Sequence, residues 1–477
     1  MAVSWLWILG IMAIFGIQFN LVNVILATFI FGQGDDYTIF MTEGAMYEYA
    51  YRRKMLASYK HSIIISALIM FIGIGTLIGA RHPALRSLAE VTIAGMFSVV
   101  LMAYLFPSLL FRMLVIHHGT YRRRPLSLIP VARMLWTVVV GFAQLVTVYV
   151  AGFVLLELLP ATPRRRRWLH RYMQRLCRYD LTHMPGVDFH VEGISTDTFS
   201  KPCIIMANHQ SVLDVAAFMA LSEKTIIVDN NNSARHPIVS KIYRWLEFVS
   251  LSGYLDKDLP LLRQRTAEGY SLVVFPEGKR NEQSSILRFQ NEVFHLIKQL
   301  HADIQIVLLH GFNDVLPQGS VSIFRGTLTV SLSQRVTAGD NRWGDTYQER
   351  ANNAHDFFAK EYEALARRQE TAAYWRDFVL DRYRYKDTAI YRTVSRRLNA
   401  THCFADDVDV ADDGREKIIH NDSFGEMALV YACVHPRQQV IVVEADEERR
   451  ALITYCAEFT DNLKCVEKIN INPQTTK

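Results

Sequence analysis

The chain has 477 residues, half of them hydrophobic, and a formal net charge of +5, a length that suits two or three folded units. Its basic clusters (Arg52-Arg53-Lys54, Arg122-Arg123-Arg124, Arg164 to Arg167) flank apolar runs, which reads as membrane edges and argues against nucleic-acid binding. The six cysteines stand apart without C-x-x-C pairs, so no metal cluster, no disulfide framework and no cofactor is expected, as suits a reducing cytoplasm.

Four apolar runs open the chain, about Trp5 to Ile17, Leu21 to Phe31, Ile63 to Ala80 and Val91 to Ile116. The first lacks a basic flank and a small-residue cleavage site, so a spanning helix is expected there and not a signal peptide. Basic residues after the second and fourth runs place those ends in the cytoplasm and make Arg81 to Arg86 an outside loop. Between the second and third runs lies G-Q-G-D-D-Y-T-I-F-M-T-E-G, Gly32 to Gly44, with acids at membrane depth, where charge is costly and usually functional. Through its G-x-G-x-D-Y pattern and P-A-L-R-S-L-A (Pro83 to Ala89), the segment to about Met113 resembles the second membrane half of MMPL-type exporters of the resistance-nodulation-division superfamily. The resemblance implies a proton relay at Asp36 and Tyr37. The relay is vestigial here, since the periplasmic domain and the first half with its partnering Asp-Tyr pair are missing. The chain then reads as the end of a longer transporter fusion, which on its own should not transport and whose partner would be the missing transporter half.

A further apolar run, Met134 to Leu159, lies between the basic clusters at 122–124 and 164–167. A simple span would put one cluster outside, and Gly141 and Gln144 interrupt the run. The expectation is a re-entrant or interfacial helical hairpin over 128–162 that docks the following domain on the inner leaflet.

That domain reads as a helix (Trp168 to Leu181) and strands at Val187–Val191, Cys203–Met206, Thr225–Val228, Leu272–Phe275, Ile304–Leu309 and Leu328–Leu332. Helices at Val212–Leu221 and Phe289–Leu300 lie between them, giving an α/β fold with a mixed sheet. Two strands run straight into polar turns: I-I-M-A-N-H-Q-S-V-L-D (Ile204 to Asp214) and S-L-V-V-F-P-E-G-K-R (Ser271 to Arg280). Open α/β sheets build sites at such strand ends. The pattern H-x-x-x-x-D occurs three times, at His183/Asp188, His209/Asp214 and His402/Asp407, so spacing alone says little. Only His209 follows an apolar strand and precedes an apolar helical run.

N-H-Q-S-V-L-D followed by F-P-E-G-K-R resembles the glycerophospholipid acyltransferase family, of the lysophosphatidate type, over about Arg164 to Ser333. Two looser motifs fall in order, Ser252-Gly253-Tyr254-Leu255-Asp256-Lys257 and Ile306 to Gly311 with Pro317. The family's usual arginine in the first of these is Lys257, which gives a point charge in place of a bidentate fork. The resemblance implies acyl transfer from acyl-CoA or acyl carrier protein to a lysolipid hydroxyl. Such chemistry needs a base with a pKa near neutrality, met by His209, and a carboxylate on its other ring nitrogen, met by Asp214. Asn208, Gly253, Lys257, Phe275, Pro276, Glu277, Gly278, Lys279 and Arg280 are the expected substrate-binding residues. The alternative is a domain that only binds and delivers lipid; an intact base favours the enzyme.

From Thr346 to Leu398 the chain is charged and helical, with Phe357, Tyr362, Tyr374, Trp375, Tyr383 and Tyr385 read as core faces. Then K-I-I-H-N-D-S-F-G-E-M-A-L-V-Y-A and V-I-V-V-E-A-D-E (Val440 to Glu447) resemble the opening of a class I S-adenosylmethionine-dependent methyltransferase, here a structural remnant with a degraded glycine loop. The expected architecture is an α-helical membrane bundle (1–118), the hairpin, an α/β acyltransferase domain (163–340), a helical linker (341–400) and a small partial Rossmann-like domain (401–477). The expected location is a bacterial inner membrane with the catalytic domain cytoplasmic.

Overall fold

The computed structural model describes residues 2–14, 16, 21–195, 198–229, 237–250, 255–281, 285–400 and 416–468. It forms two compact units, one of Met1–Leu126 with Trp375–Lys477 and one of Ser127–Tyr374.

The first unit begins with helices α1 (Ala2–Ile14), α2 (Leu21–Tyr51), α3 (Leu56–Gly75) and α4 (Pro83–Val115), followed by a two-stranded hairpin, β1 (Ile116–His117) and β2 (Thr120–Tyr121). Among the described residues three helices are long and apolar enough to cross a membrane, over Leu56–Gly79, Pro83–Val115 and Leu128–Leu158. Helix α1 is described over 13 residues, about 20 Å at a rise of about 1.5 Å per residue. The second run does not stop at Phe31. The helix continues through Gly32 to Gly44, where the hydroxyls are taken up by its own backbone: Thr38 donates to the Gly34 carbonyl (2.7 Å) and Thr42 to the Thr38 carbonyl (2.8 Å). The Tyr37 hydroxyl meets Ser66 Oγ at 3.1 Å on α3, while Asp36 is exposed.

The last hundred residues belong to this same unit. Helices α13 (Ala372–Arg382) and α14 (Thr388–Asn399) lead to β10 (Lys417–His420), α15 (Glu426–Val434), β11 (Val440–Val443), α16 (Glu447–Cys456) and β12 (Leu463–Val466). The three strands form a parallel sheet in sequence order, with Ile418 opposite Ile441 and Ile441 opposite Lys464. The expected separation of residues 1–118 from 401–477 gives way to one body because the basic ends of α2 and α4 find carboxylates there. Arg52 pairs with Glu458 (3.0 Å), Arg53 with Glu447 (2.6 Å) and buried Arg124 with buried Asp381 (2.6 Å). Arg382 donates to the carbonyls of Arg123 (2.8 Å) and Cys456 (2.9 Å).

The second unit opens with α5 (Leu128–Phe153), which passes into a π-helical turn over Val154–Leu158. The expected hairpin is thus corrected to one unbroken helix. Gly141 costs a helix only about 1 kcal/mol, and the Gln144 amide is satisfied sideways, donating to Asp180 Oδ1 at 2.7 Å. Helix α6 (Pro163–His183) begins five residues before its expected start, with Thr162 capping Arg165 N and proline in the first turn.

A seven-stranded mixed sheet follows, built from β3 (Val187–Glu192), β4 (Ile204–Ala207), β5 (Thr225–Asp229), β6 (Val249–Ser250), β7 (Ser271–Val274), β8 (Ile304–His310) and β9 (Gly326–Val336) in the order β3-β9-β8-β4-β7-β5-β6. Every neighbouring pair is parallel except β8 with β9. Strand β9 outruns the expected Leu328–Leu332 because it is paired on both sides, to β3 and β8. Helices α7 (Leu213–Leu221), α8 (Pro237–Trp245), α9 (Leu255–Ala267), α10 (Asn291–Leu300), α11 (Phe312–Val315) and α12 (Tyr347–Gln369) complete the unit.

The alternation of side chains sorts the core into two layers. Ile205, Ala207, Val273 and Leu309 pack with Leu169, Leu181 and Phe218 of α6 and α7. Ile204, Met206, Leu272, Val274, Ile306 and Leu308 pack with Phe294 of α10 and Phe358 and Leu365 of α12. Because α12 supplies one whole face of that second layer, the unit closes at Tyr374, not at the expected boundary of 340. Of the six aromatics read as core faces, Tyr362, Trp375 and Tyr383 are buried.

Candidate active site

Two turns meet at the carboxyl ends of adjacent strands β4 and β7. The first is held by Asn208, which donates from Nδ2 to the Leu309 carbonyl (2.9 Å) and accepts from Leu309 N at Oδ1 (2.8 Å), pinning β4 to β8. Asn208 is buried with both amide atoms engaged. Those two bonds give it a structural role in the site.

His209 follows, with its Nδ1 2.7 Å from Asp214 Oδ2. The contact closes within one turn because Asp214 sits at the start of α7, where the backbone N–H groups of Gln210 (2.6 Å) and Ser211 (2.9 Å) also donate to Oδ2. Asp214 is fully buried while the His209 side chain is 19% exposed; the acid is withdrawn from solvent and the imidazole reaches it. Burial pushes the Asp214 carboxyl above its usual range, opposed by the His209 bond and the two backbone donors. With Nδ1 turned to the carboxylate, Nε2 is left as the ring's basic atom.

The second turn locks onto the first. Glu277 accepts from His209 N (3.0 Å) on one oxygen and from Leu287 N (2.9 Å) on the other, and Asn281 N donates to the His209 carbonyl (2.8 Å). Glu277 is buried, and burial pushes its carboxyl up to about 7. It stitches the two turns together. The Phe275 ring stacks on the imidazole, centroids 4.1 Å apart. Pro276 is buried and its carbonyl accepts from Gln290 N at 2.8 Å. Gly278 has φ of +68°, a left-handed conformation that favours glycine. Lys279 and Arg280 are exposed just beyond, and Lys257 is exposed in the first turn of α9. Gly253 lies outside the described residues.

Residues that motif reading passed over complete the site. Gln210, adjacent to His209, donates from Nε2 to the Tyr362 hydroxyl at 2.8 Å, and Ser211 donates to the Leu316 carbonyl at 3.1 Å. Gln210 stood inside the motif and was within reach of sequence reasoning; its partner on α12 carried no local signal. Among the described residues no group of three or more His, Cys, Asp or Glu is placed to hold a metal.

In the smaller sheet, the acid after β11, Glu444, accepts from Asn421 Nδ2 and from Asp446 N. A Cβ at Gly425 would lie 2.6 Å from Ile453.

Comparisons with known proteins point to one class of enzyme by sequence. Residues 188–309 match the family model described as Acyltransferase. The human 1-acyl-sn-glycerol-3-phosphate acyltransferase alpha is 25% identical over 155 residues, covering 29% of this chain and 52% of that one. The 1-acyl-sn-glycerol-3-phosphate acyltransferase of Limnanthes alba is 22% identical over 227 residues, 46% of this chain and 79% of that one. The chain thus spans about half the length of the human relative. The crystal structure of the 1-acyl-sn-glycerophosphate acyltransferase PlsC from Thermotoga maritima is also similar, at 18% identity and a TM-score of 0.43, covering 50% of this chain and 95% of that one.

Proposed function

We propose that the chain is a membrane-bound O-acyltransferase that moves a fatty acyl group from a thioester, acyl-CoA or acyl carrier protein, to a hydroxyl of a lysophospholipid or glycerophosphate. The His209–Asp214 contact carries this reading, in a segment that matches the family model. His209 Nε2 takes the acceptor's hydroxyl proton as its oxygen attacks the thioester carbonyl. The tetrahedral adduct then expels the thiolate, which takes that proton back from the imidazolium. Asp214 fixes the tautomer and stabilises the cation formed between the two steps. The acceptor hydroxyl occupies the place that a serine holds in hydrolases, so no acyl-enzyme forms. Lys279, Arg280 and Lys257 meet the acceptor's anionic head group, and Phe275 shields one face of the base.

The unit works at a bacterial inner membrane, on the cytoplasmic side. Helix α5 lies along the leaflet and does not cross it. It is tied to its own unit at three levels, by the Pro130 carbonyl accepting Ile323 N, by Gln144 on Asp180, and by Gly152 against Trp245. Its other face exposes Leu135, Trp136, Val139, Phe142 and Val146, and the arginines at 164–167 follow at the start of α6, a combination suited to anionic lipid surfaces. An exporter-like descent of residues 1–118, which includes Asp36 and Tyr37, and a Rossmann-like origin of residues 401–477 complete the reading.

Membranes containing the chain, given labelled acyl donors and a panel of lyso-lipids, are expected to form a diacyl product. His209→Ala is expected to lower the rate at least a hundredfold. Full activity in that variant, or no product from the wild type, would refute the assignment.

A further inference from the structure

We propose that Tyr362, on a helix outside the family-matched segment, is a positioning residue for His209 that acts through Gln210. The inference rests on the acyltransferase reading given above.

Gln210 has two tasks in one residue. Its backbone N–H holds Asp214 Oδ2 at 2.6 Å, on the same oxygen that meets His209 Nδ1. Its side chain runs the other way, into the protein, where it is buried and donates to the Tyr362 hydroxyl at 2.8 Å. Among the described residues that hydroxyl is the amide's partner, and Gln210 Oε1 has none. A buried amide with one bond is held by that bond, because losing it costs the desolvation of the whole group.

The tyrosine is itself fixed. It is buried in the layer formed by Phe358 and Leu365, and its ring lies 5.8 Å from that of His310. His310 ends β8 and is clamped by Glu370 through Nε2 at 2.9 Å. The preceding residue, Leu309, is the one that Asn208 grips on the other side of His209. The catalytic turn is thus anchored at both flanks of His209, by Asn208 to β8 and by Gln210 to α12. The first anchor lies within the family-matched residues 188–309, whereas the second reaches to residue 362.

Removing the Tyr362 hydroxyl should let the Gln210 backbone drift and loosen the grip of Asp214 on the imidazole, without touching any substrate. Tyr362→Phe is expected to lower kcat about tenfold, the rate equivalent of a modest misplacement of the base. KM for donor and acceptor should stay within about twofold. Gln210→Met should do the same, and the double variant should be no worse than either single one, since both break the same bond.

The assay uses the full chain in membranes, with His209→Ala alongside and the amount of folded protein fixed by thermal unfolding. A kcat loss with unchanged KM and non-additivity in the double variant establishes the positioning role. Wild-type kcat in Tyr362→Phe, whatever its stability, or multiplying losses in the double variant, overturns it while leaving the acyltransferase reading intact. An active His209→Ala variant overturns both.

Discussion

Glu277 and His170 shift in opposite directions for the same reason, since burial disfavours charge. Glu277 is pushed up to about 7 and His170 is pushed down to about 4, desolvation being the largest cause in each. Against ordinary values of about 4.5 and 6.5, each corresponds to about 3 kcal/mol at most. The signs differ. As pH rises from about 4.5 to 7 the unfolded chain releases the Glu277 proton first, so that residue makes stability fall. As pH drops from about 6.5 to 4 the unfolded chain binds a proton that folded His170 refuses, so that residue makes stability fall on acidification. Over the shared window the two slopes oppose each other. His170→Phe should therefore expose a stability that declines toward neutrality, and Glu277→Gln one that declines toward acid, in unfolding curves measured from pH 4.5 to 6.5. Glu277→Gln should also slow turnover about tenfold or more, because an amide NH2 would face one of the backbone donors of His209 or Leu287. Of the site, the His209–Asp214 pair was legible because its contact closes over five residues after a strand. The stitching by Glu277 and the Tyr362 anchor were not, since their partners are 68 and 152 positions away.

At the scale of elements, the strands of the second unit were legible because unbroken apolar runs ending in turns mark buried parallel strands. All four residues of β4 and of β7 are buried. The helices were less so. Gly141 and Gln144 read as a break because the sequence cannot show that Asp180 waits 36 residues on to take the amide. The same helix carries a prediction about sidedness. A cysteine placed at Arg165 should resist an impermeant thiol reagent applied from outside, and one placed at His82, between the two apolar helices α3 and α4, should react. Labelling at Arg165 from outside would mean that α5 crosses the bilayer and would remove the cytoplasmic placement of the site.

The whole molecule departs most from a reading of consecutive domains. Residues 375–477 complete the unit begun by residues 1–126, and this was illegible because the ion pairs that join the two stretches are local to neither. Arg124 and Asp381 are both buried, with side chains 7% and 9% exposed. Asp381→Asn should cost about 3–5 kcal/mol, the penalty of leaving a buried arginine without its carboxylate. It should show as faster proteolysis of the last hundred residues, with residues 127–374 still protected.

That pairing also sets a clock on biosynthesis. Arg124 and Asp381 are 257 positions apart, and at roughly 5–20 residues per second the ribosome needs about 13–50 s to travel from one to the other. During that interval the first four helices are already made and still lack the carboxylates that hold their basic ends, while the entire sheet carrying His209 emerges and has time to fold. The acyltransferase-like unit is therefore expected to mature before the unit that precedes it in the chain, and the nascent helices to depend on the bilayer, or on a chaperone, until translation reaches the last hundred residues.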